Sequence, residues 1–473
     1  MRTKVIATLG PSSMEYEVMR AMVEFGVRIF RLNFSHGGAN SFAEAIQNIR
    51  RLEKELHLPL TAMGDLSGPK IRIGRVDGSP VQVTKGDRVF LGLPDHRDQA
   101  CGHVFLSLDE PALFRGLEKG MAVTLSDGML RFEVVGVCRN EALFELEAQN
   151  DGLLSSHKGI AFPGRSLDLP ALTEKDFQDL YEGLDLGLDA VALSFVQRRE
   201  DVDELRYEIR KRGRWVPVVA KVERQNAMDN LDAIVELADV VMVARGDLGV
   251  ECPMSCVPVL QKKIIRATRH GQKASIVATQ MLLSMVKSPM PTRAESADVA
   301  NAILDGADCV MLSEETAIGD YPVEAVKVIQ DISQSAEAYY LERTQGPFVP
   351  KKERNPVKYL TYAASLLAEN LDSAALVCHT SSGSTARLLA SRRPKQPIYG
   401  LTPTPAVVKM LNFFWGVRPR LVEETMASHL ERAEQFIENL EDIKHGESVV
   451  ITSGQPTPGQ TKVHTNELKI YYK

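Results

Sequence analysis

The chain predicts an α/β protein: a closed (β/α)8 barrel of the TIM type, an inserted all-β lid domain and a carboxyl-terminal α/β regulatory domain. Three observations lead there. Eight short apolar, β-branched runs recur, most of them separated by amphipathic stretches of helical period. One interval between runs, about residues 71–170, is too long for a single crossover and carries short alternating segments instead. After about Tyr340 a polar, proline-bearing link leads into a second series of alternating strands and helices.

The eight runs are Lys4–Thr8, Val27–Leu32, Leu60–Gly64, Ala190–Phe195, Val216–Ala220, Val240–Ala244, Ala274–Ala278 and Cys309–Leu312. Runs of this kind, bounded by polar and glycine residues, read as strands buried on both faces of a parallel sheet. Ser41–Leu56 and Ser255–His270 have helical period, the latter stopped by Gly271. In a barrel of eight such units the active site lies at the carboxyl ends of the strands. The long interval holds Pro80–Thr84, Arg88–Leu91, Met121–Leu125, Leu130–Val137 and Ala142–Glu147, punctuated by Gly, Asp and Asn. A domain tethered at both ends beside the barrel mouth suits a moving lid. Beyond the link, Ala374–Cys378, Ser384–Ser391, Pro397–Leu401, Ala406–Phe414 and Ser448–Thr452 alternate as a third unit. The expected division is 1–68 with 171–339 for the barrel, 69–170 for the lid and 340–473 for the last domain.

A length of 473 residues with 44% hydrophobic content supports several packed cores. A net charge of -6 gives no global attraction to nucleic acid or anionic lipid, so neither is an expected partner. The first residues lack the apolar core of a secretory signal, and no apolar run approaches the roughly 20 residues that span a bilayer. Six cysteines show no pairing logic; Cys252 and Cys256 form a lone C-x-x-x-C with no second ligand pair nearby. A reducing, cytoplasmic compartment is the expectation.

The strand ends carry the chemistry. Lys221-Val-Glu follows the fifth run and Arg245-Gly-Asp-Leu-Gly follows the sixth. That places Lys221, Glu223 and Asp247 at the mouth. Two carboxylates there suit a hard Mg²⁺ or Mn²⁺, and a lysine beside them suits a transferring phosphoryl group or an enolate. Taken singly, a Lys/Glu pair is more often an ion pair on a solvated face. The second run ends Arg31-Leu-Asn33-Phe-Ser35-His36-Gly37 and the third Asp65-Leu-Ser-Gly68-Pro69-Lys70-Ile-Arg72. The seventh ends Thr279-Gln280-Met281 and the eighth Ser313-Glu314-Glu315-Thr316. Arg31 and Arg72 suit phosphate because guanidinium binds it bidentately. Asn33, Ser35 and Asp65 offer oxygen ligands of the kind a hard cation takes, and His36 reads equally as a structural histidine. One strand end capped by a polar residue is ordinary; these six of eight point to a site.

The chain resembles the pyruvate kinases over its whole length. The resemblance rests on Ala7-Thr-Leu-Gly-Pro11, Arg31 to Gly37, Gly68-Pro-Lys-Ile-Arg72, Lys158-Gly159 to Pro163-Gly164, Met242 to Glu251, Ala278-Thr-Gln-Met-Leu282, Pro291-Thr-Arg-Ala-Glu295 and Asp298 to Gly306. It implies the glycolytic reaction phosphoenolpyruvate + ADP + H⁺ → pyruvate + ATP. It implies Glu223 and Asp247 as Mg²⁺ (or Mn²⁺) ligands and Lys221 as the cation that stabilises phosphoryl group and enolate. Gly246 and Asp247 N–H groups would cradle the substrate carboxylate. Arg31 and Arg72 would bind phosphate, and Thr279 would serve enolate protonation. Pro11, Asn33, His36, Lys158 and, in the lid run Ser126-Asp-Gly-Met, Asp127 would lie near the nucleotide. A phosphate-binding G-x-x-x-x-G-K-[ST] loop is not part of this family's pattern. The family resemblance also implies a homotetramer.

Departures from the pattern carry their own expectations. Many family members read Gly-Pro-Glu and bind K⁺; this chain reads Gly-Pro-Lys70, like the branch that works without it. An ammonium there would occupy and repel the K⁺ position, so K⁺ is not expected to be required. Leu66 stands where the K⁺-dependent branch often has Thr. Ser67, Ala161, Glu314 and Ile318 replace a common Lys, Asn, Gly and Lys, and bear on nucleotide preference. In the third domain Thr380-Ser381-Ser382-Gly383-Ser384-Thr385 joins a strand to a helix. By itself it is an ordinary serine-rich helix cap; with the family beside it, it reads as an allosteric phosphate nest. The loop Gly454-Gln-Pro-Thr-Pro-Gly-Gln-Thr461 resembles one that closes over a sugar-phosphate effector. It lacks Lys, Arg and Trp, so a sugar monophosphate or AMP is expected rather than a bisphosphate. Two rivals stand beside this reading. A metal-dependent barrel lyase acting on pyruvate or phosphoenolpyruvate would have no use for Lys158 and the lid. A silent sugar-phosphate sensor has no reason to keep Lys221, Glu223, Asp247, Arg31 and Thr279 together.

Overall fold

The computed structural model describes the chain apart from residues 101, 127, 139–142, 166–168, 344–345, 351–353, 424–427 and 455–464. Asp127 and the loop beyond Gly454 therefore lie outside the described residues.

Eight parallel strands close a barrel: Lys4–Thr8, Val27–Asn33, Thr61–Asp65, Ala190–Leu193, Val218–Val222, Val240–Ala244, Ala274–Ala278 and Cys309–Leu312. The first strand closes on the last, with Lys4 opposite Cys309 and Ala7 opposite Leu312. Side chains alternate along each strand. Ile6, Ile29, Met63, Val219, Met242 and Ile276 fill the barrel, while Val5, Phe30, Val191, Val218, Val241 and Val277 pack under the helices. Both sets are buried, which explains why the strands read as continuous apolar runs.

Four strands differ from the apolar runs: the second extends to Asn33, the third runs Thr61–Asp65, and the fourth and fifth shift as follows. The fifth begins at Val218 because Pro217 has no N–H to give a ladder. Lys221 is thus inside the strand, opposite Met242, rather than just beyond it. The fourth ends at Leu193; Ser194 and Phe195 leave it, with Phe195 at φ +55°.

The insertion between Asp65 and Glu174 is all-β. One sheet runs in the order Ile160–Ala161, Ala122–Leu125, Leu130–Cys138, Leu143–Ala148, Arg88–Gly92, Val104–Ser107. A two-stranded sheet pairs Val81–Val83 with Gly152–Leu154. The sequence reading missed Val104–Ser107, Gly152–Leu154 and Ile160–Ala161, which are too short for a period to register. The insertion has its own core around Leu91, Phe132, Phe144 and Leu146.

The last unit is a five-stranded sheet in the order Val417–Leu421, Ile398–Thr402, Ala375–His379, Ser448–Ser453, Glu467–Tyr472. The outer strands escaped the sequence reading because edge positions tolerate Pro419, Arg418, Arg420 and Lys469. This unit sits on the amino-terminal end of the barrel, away from the mouth. Asn412 Nδ2 donates to Pro59 O at 2.9 Å, and Arg393 Nη1 meets Asp308 Oδ1 at 2.7 Å just before the eighth strand. Among the described residues no helix is long and apolar enough to cross a membrane.

Candidate active site

The barrel mouth gathers charges that the sequence holds far apart. Asp65, 1% exposed at the end of the third strand, takes Arg31 Nε at 2.7 Å and Lys221 Nζ at 3.3 Å. Arg31 Nη1 also reaches Thr8 Oγ1 at 3.3 Å, and Lys221 meets Glu223 Oε1 at 3.1 Å. Lys221 donates to Ser194 Oγ at 2.7 Å, and Ser194 in turn donates to Leu66 O at 2.7 Å. The second Glu223 oxygen accepts Phe195 N–H at 2.6 Å. Every buried charge here has a partner, as burial demands.

The protonation balance follows from this. Burial pushes Asp65 up, but Lys221 and Arg31 more than offset it and hold it below the usual carboxylate range. Burial alone would lower Lys221; Asp65 and Glu223 outweigh that and keep it a firm cation. Glu223 is raised by burial, opposed by Lys221 and pushed further by Asp247. Glu223 and Asp247 line one cavity with Lys70 and Arg224. Two carboxylates repelling each other across one cavity fit a divalent cation. Among the described residues no cluster of three His, Cys, Asp or Glu forms, so the remaining ligands would be substrate oxygens or water.

The sixth strand turns at once into the helix Arg245–Glu251. Arg245 fixes that turn: Nη1 meets Asp298 at 2.7–2.8 Å and Nη2 donates to Thr279 O at 2.8 Å. Thr279 sits at φ +71°, a strained conformation for a β-branched residue. Its Oγ1 accepts Gly246 N–H at 2.9 Å and donates to Ala278 O at 2.6 Å. The Thr279 hydroxyl and the Gly246 N–H that opens the helix are thus directly linked. The motif Pro291-Thr-Arg-Ala-Glu295 is a capping box, with Thr292 and Glu295 satisfying each other's backbone N–H groups. It starts the helix that delivers Asp298 to Arg245.

The remaining candidates lie as follows. Arg72 is exposed at the root of the insertion, where its backbone bridges Gly159 and Nη1 donates to His157 O at 3.2 Å. Lys158 is exposed on the same returning segment, its carbonyl accepting from Ile73 N–H. Pro11, Ser35 and His36 are exposed at the mouth. Asn33 spends its Oδ1 on Ser35 N–H at 3.2 Å, and Leu66 is buried. Gly68, at φ +64°, must be glycine: a Cβ there would meet Phe195 at 2.9 Å. In the third unit Thr380 and Thr385 are buried, while Ser381, Ser382 and Ser384 are exposed around the start of the helix Ser384–Arg392.

Sequence reasoning missed Ser194, Phe195, Arg245, Asp298 and Glu251. The fourth apolar run had absorbed Ser194 and Phe195 as strand. The signal available was that polar Ser194 ended it, as polar residues end its neighbours. Burial pushes Glu251 up to about 7, with Arg224 opposing and Asp247 adding.

Comparison with known proteins identifies the family. Residues 1–326 match the family described as Pyruvate kinase, barrel domain, and residues 359–471 match Pyruvate kinase, alpha/beta domain. The chain is 42% identical to a pyruvate kinase of Agrobacterium vitis over 99% of this chain and 96% of that one. It is 41% identical to pyruvate kinase 2 of Synechocystis sp., over 96% of this chain and 76% of that one, and 36% identical to the pyruvate kinase of Thermococcus litoralis over 99% and 98%. The chain belongs to the pyruvate kinase family.

Proposed function

We propose that the chain transfers the phosphoryl group of phosphoenolpyruvate to ADP, giving pyruvate and ATP, with Mg²⁺ (or Mn²⁺) and without a requirement for K⁺. The observation that carries this is the buried relay of Arg31, Asp65, Lys221 and Glu223 opening onto Asp247. Arg31 and Arg72 bind the phosphoryl group, and the Gly246 and Asp247 N–H groups take the substrate carboxylate. A nucleotide oxygen attacks phosphorus as the bond between phosphorus and the bridging oxygen breaks, and that oxygen leaves with the carbon skeleton as the enolate. Lys221 faces the charge that develops on the departing enolate oxygen, held in place beforehand by Asp65 and Ser194. Thr279 directs a proton to the enolate carbon, directly or through water. Glu223 and Asp247 would hold a divalent cation, which would supply neutralisation of negative charge on the phosphoryl group.

Pro11, Asn33, His36, Asp127 and Lys158 are assigned to the nucleotide side, with 69–170 as the lid that excludes water, 1–68 with 171–339 as the barrel and 340–473 as the regulatory domain. Lys70 shares the cavity of Glu223 and Asp247, which supports its standing in for K⁺ near Asn33, Ser35, Asp65 and Leu66. The Thr380–Thr385 nest is assigned to the phosphate of an allosteric effector, a sugar monophosphate or AMP. It lines a cavity of about 720 Å³ bounded also by Arg354, Leu388 and Thr465. The assembly is assigned as a cytoplasmic homotetramer. The test is pyruvate formation from phosphoenolpyruvate, ADP and Mg²⁺, in KCl against a potassium-free tetramethylammonium control. Equal turnover supports both assignments. A large activation by KCl rejects the role of Lys70, and no turnover in either rejects the reaction.

A further inference from the structure

The effector cavity contains an element that the serine-rich nest does not explain. His379, 3% exposed at the end of the strand Ala375–His379, lies flat against His429, with ring centroids 4.0 Å apart and planes 18° from parallel. Both rings line the cavity. Arg432 Nη1 contacts His379 Nε2 at 3.2 Å. A guanidinium can only donate, so Nε2 accepts and the His379 proton sits on Nδ1. That Nδ1 is buried and has no partner. Burial, with His429 and Arg432 adding to it, pushes His379 down to about 4, so this ring stays neutral. His429 differs. Its Nδ1 is 2.5 Å from Gly454 O, a carbonyl that can only accept, so Nδ1 donates and Nε2 is the ring's other nitrogen, not used in that bond.

We propose that His429 is the proton-linked anchor of the effector cavity: an anionic phosphomonoester seated in the nest brings a proton onto His429, with neutral His379 as its fixed stacking partner. This rests on the effector reading above and names its regulation. His429 touches His379 from the strand beneath and Gly454 O after the strand Ser448–Ser453; the other charged groups nearby are Arg432 on its own helix His429–Glu438, which contacts His379, and Arg354 ahead of the helix Pro356–Asn370, which lines the same cavity. Among the described residues that line the cavity none is a carboxylate. The incoming anion is therefore the counter-charge that favours the imidazolium. Because His379 cannot charge beside Arg432, only one of the two rings takes a proton.

Binding of AMP, of glucose 6-phosphate and of sulfate, whose charge is constant in this range, tests the idea by calorimetry on the full chain between pH 6 and pH 8. Buffers of different ionisation enthalpy give the proton count. The expected result is proton uptake with sulfate and affinity falling several-fold to about tenfold over that range. His429→Gln should lose the pH slope. His429→Lys, which keeps a charge throughout, should bind at pH 8 as tightly as the wild type does at pH 6. A slope unchanged in both variants overturns the role of His429. Sulfate binding that is pH-independent in the wild type, yet lost in Ser382→Asp, overturns it while leaving the effector cavity intact. No binding by the wild type at any pH overturns the cavity reading as well.

Discussion

Asp65→Asn probes the charge bridge on which the site depends. The Asp65 carboxylate lies 2.7 Å from Arg31 Nε and 3.3 Å from Lys221 Nζ. At an effective dielectric of about 20, these separations correspond to gross attractions of about 6 and about 5 kcal/mol. Desolvation of the three groups offsets most of that, and removing one partner of a buried pair costs about 3–5 kcal/mol. Lys221 keeps Glu223 at 3.1 Å, so its ammonium is not stranded; Arg31 is left with Thr8 Oγ1. The lower end, about 3 kcal/mol, is expected. The same substitution frees two cations that must be aimed before reaction, so kcat/KM should fall about 10²-fold. Asp65 is held low in the fold, so its contribution is complete above the ordinary carboxylate range and is lost as pH falls through the depressed value. The gap between variant and wild type should thus be full at pH 7 and shrink below about pH 4. Coupled pyruvate assays and urea unfolding measure both effects. A variant within twofold of wild type in kcat/KM, with an unchanged urea midpoint at pH 7, refutes the bridge.

Two further outcomes follow from buried charges elsewhere. Burial lifts Glu251 to about 7, so its folded form favours the proton: the stability it contributes is present below the ordinary carboxylate range and is lost as pH rises through about 7. Glu251→Gln should therefore gain on the wild type by about 1–3 kcal/mol between pH 5 and pH 8 in metal-free urea unfolding; parallel pH profiles would sink this. Arg393→Met strands the Asp308 carboxylate, 3% exposed, with only Trp415 N–H and Ser275 as donors, and should destabilise by about 3 kcal/mol, read as a lower urea midpoint. An unchanged midpoint would mean the junction between barrel and last unit does not depend on that ion pair.

The barrel was legible because both faces of each strand are buried, so the strands stand out as apolar runs bounded by polar residues. Lys221, Glu223, Asp247, Arg31, Arg72 and Thr279 were legible as polar residues at or after the ends of such runs, and the family resemblance added the role of Thr279. Short strands such as Ile160–Ala161 were not, because two residues hold no period. The edge strands Val417–Leu421 and Glu467–Tyr472 were hidden because an edge accepts proline and charge. Which oxygen meets which cation was also beyond the sequence. Asp65 reads as a ligand for a cation, but the barrel's register brings it against Arg31 from the second strand and Lys221 from the fifth. The His379–His429 stack joins residues 50 positions apart through a helix packed on a sheet. The sequence by itself determined residue chemistry and its order along the chain, since local periodicity follows from nearby side chains. The tertiary structure decided which charges share a buried volume, since pairing depends on strand register and on packing between segments that the chain keeps far apart.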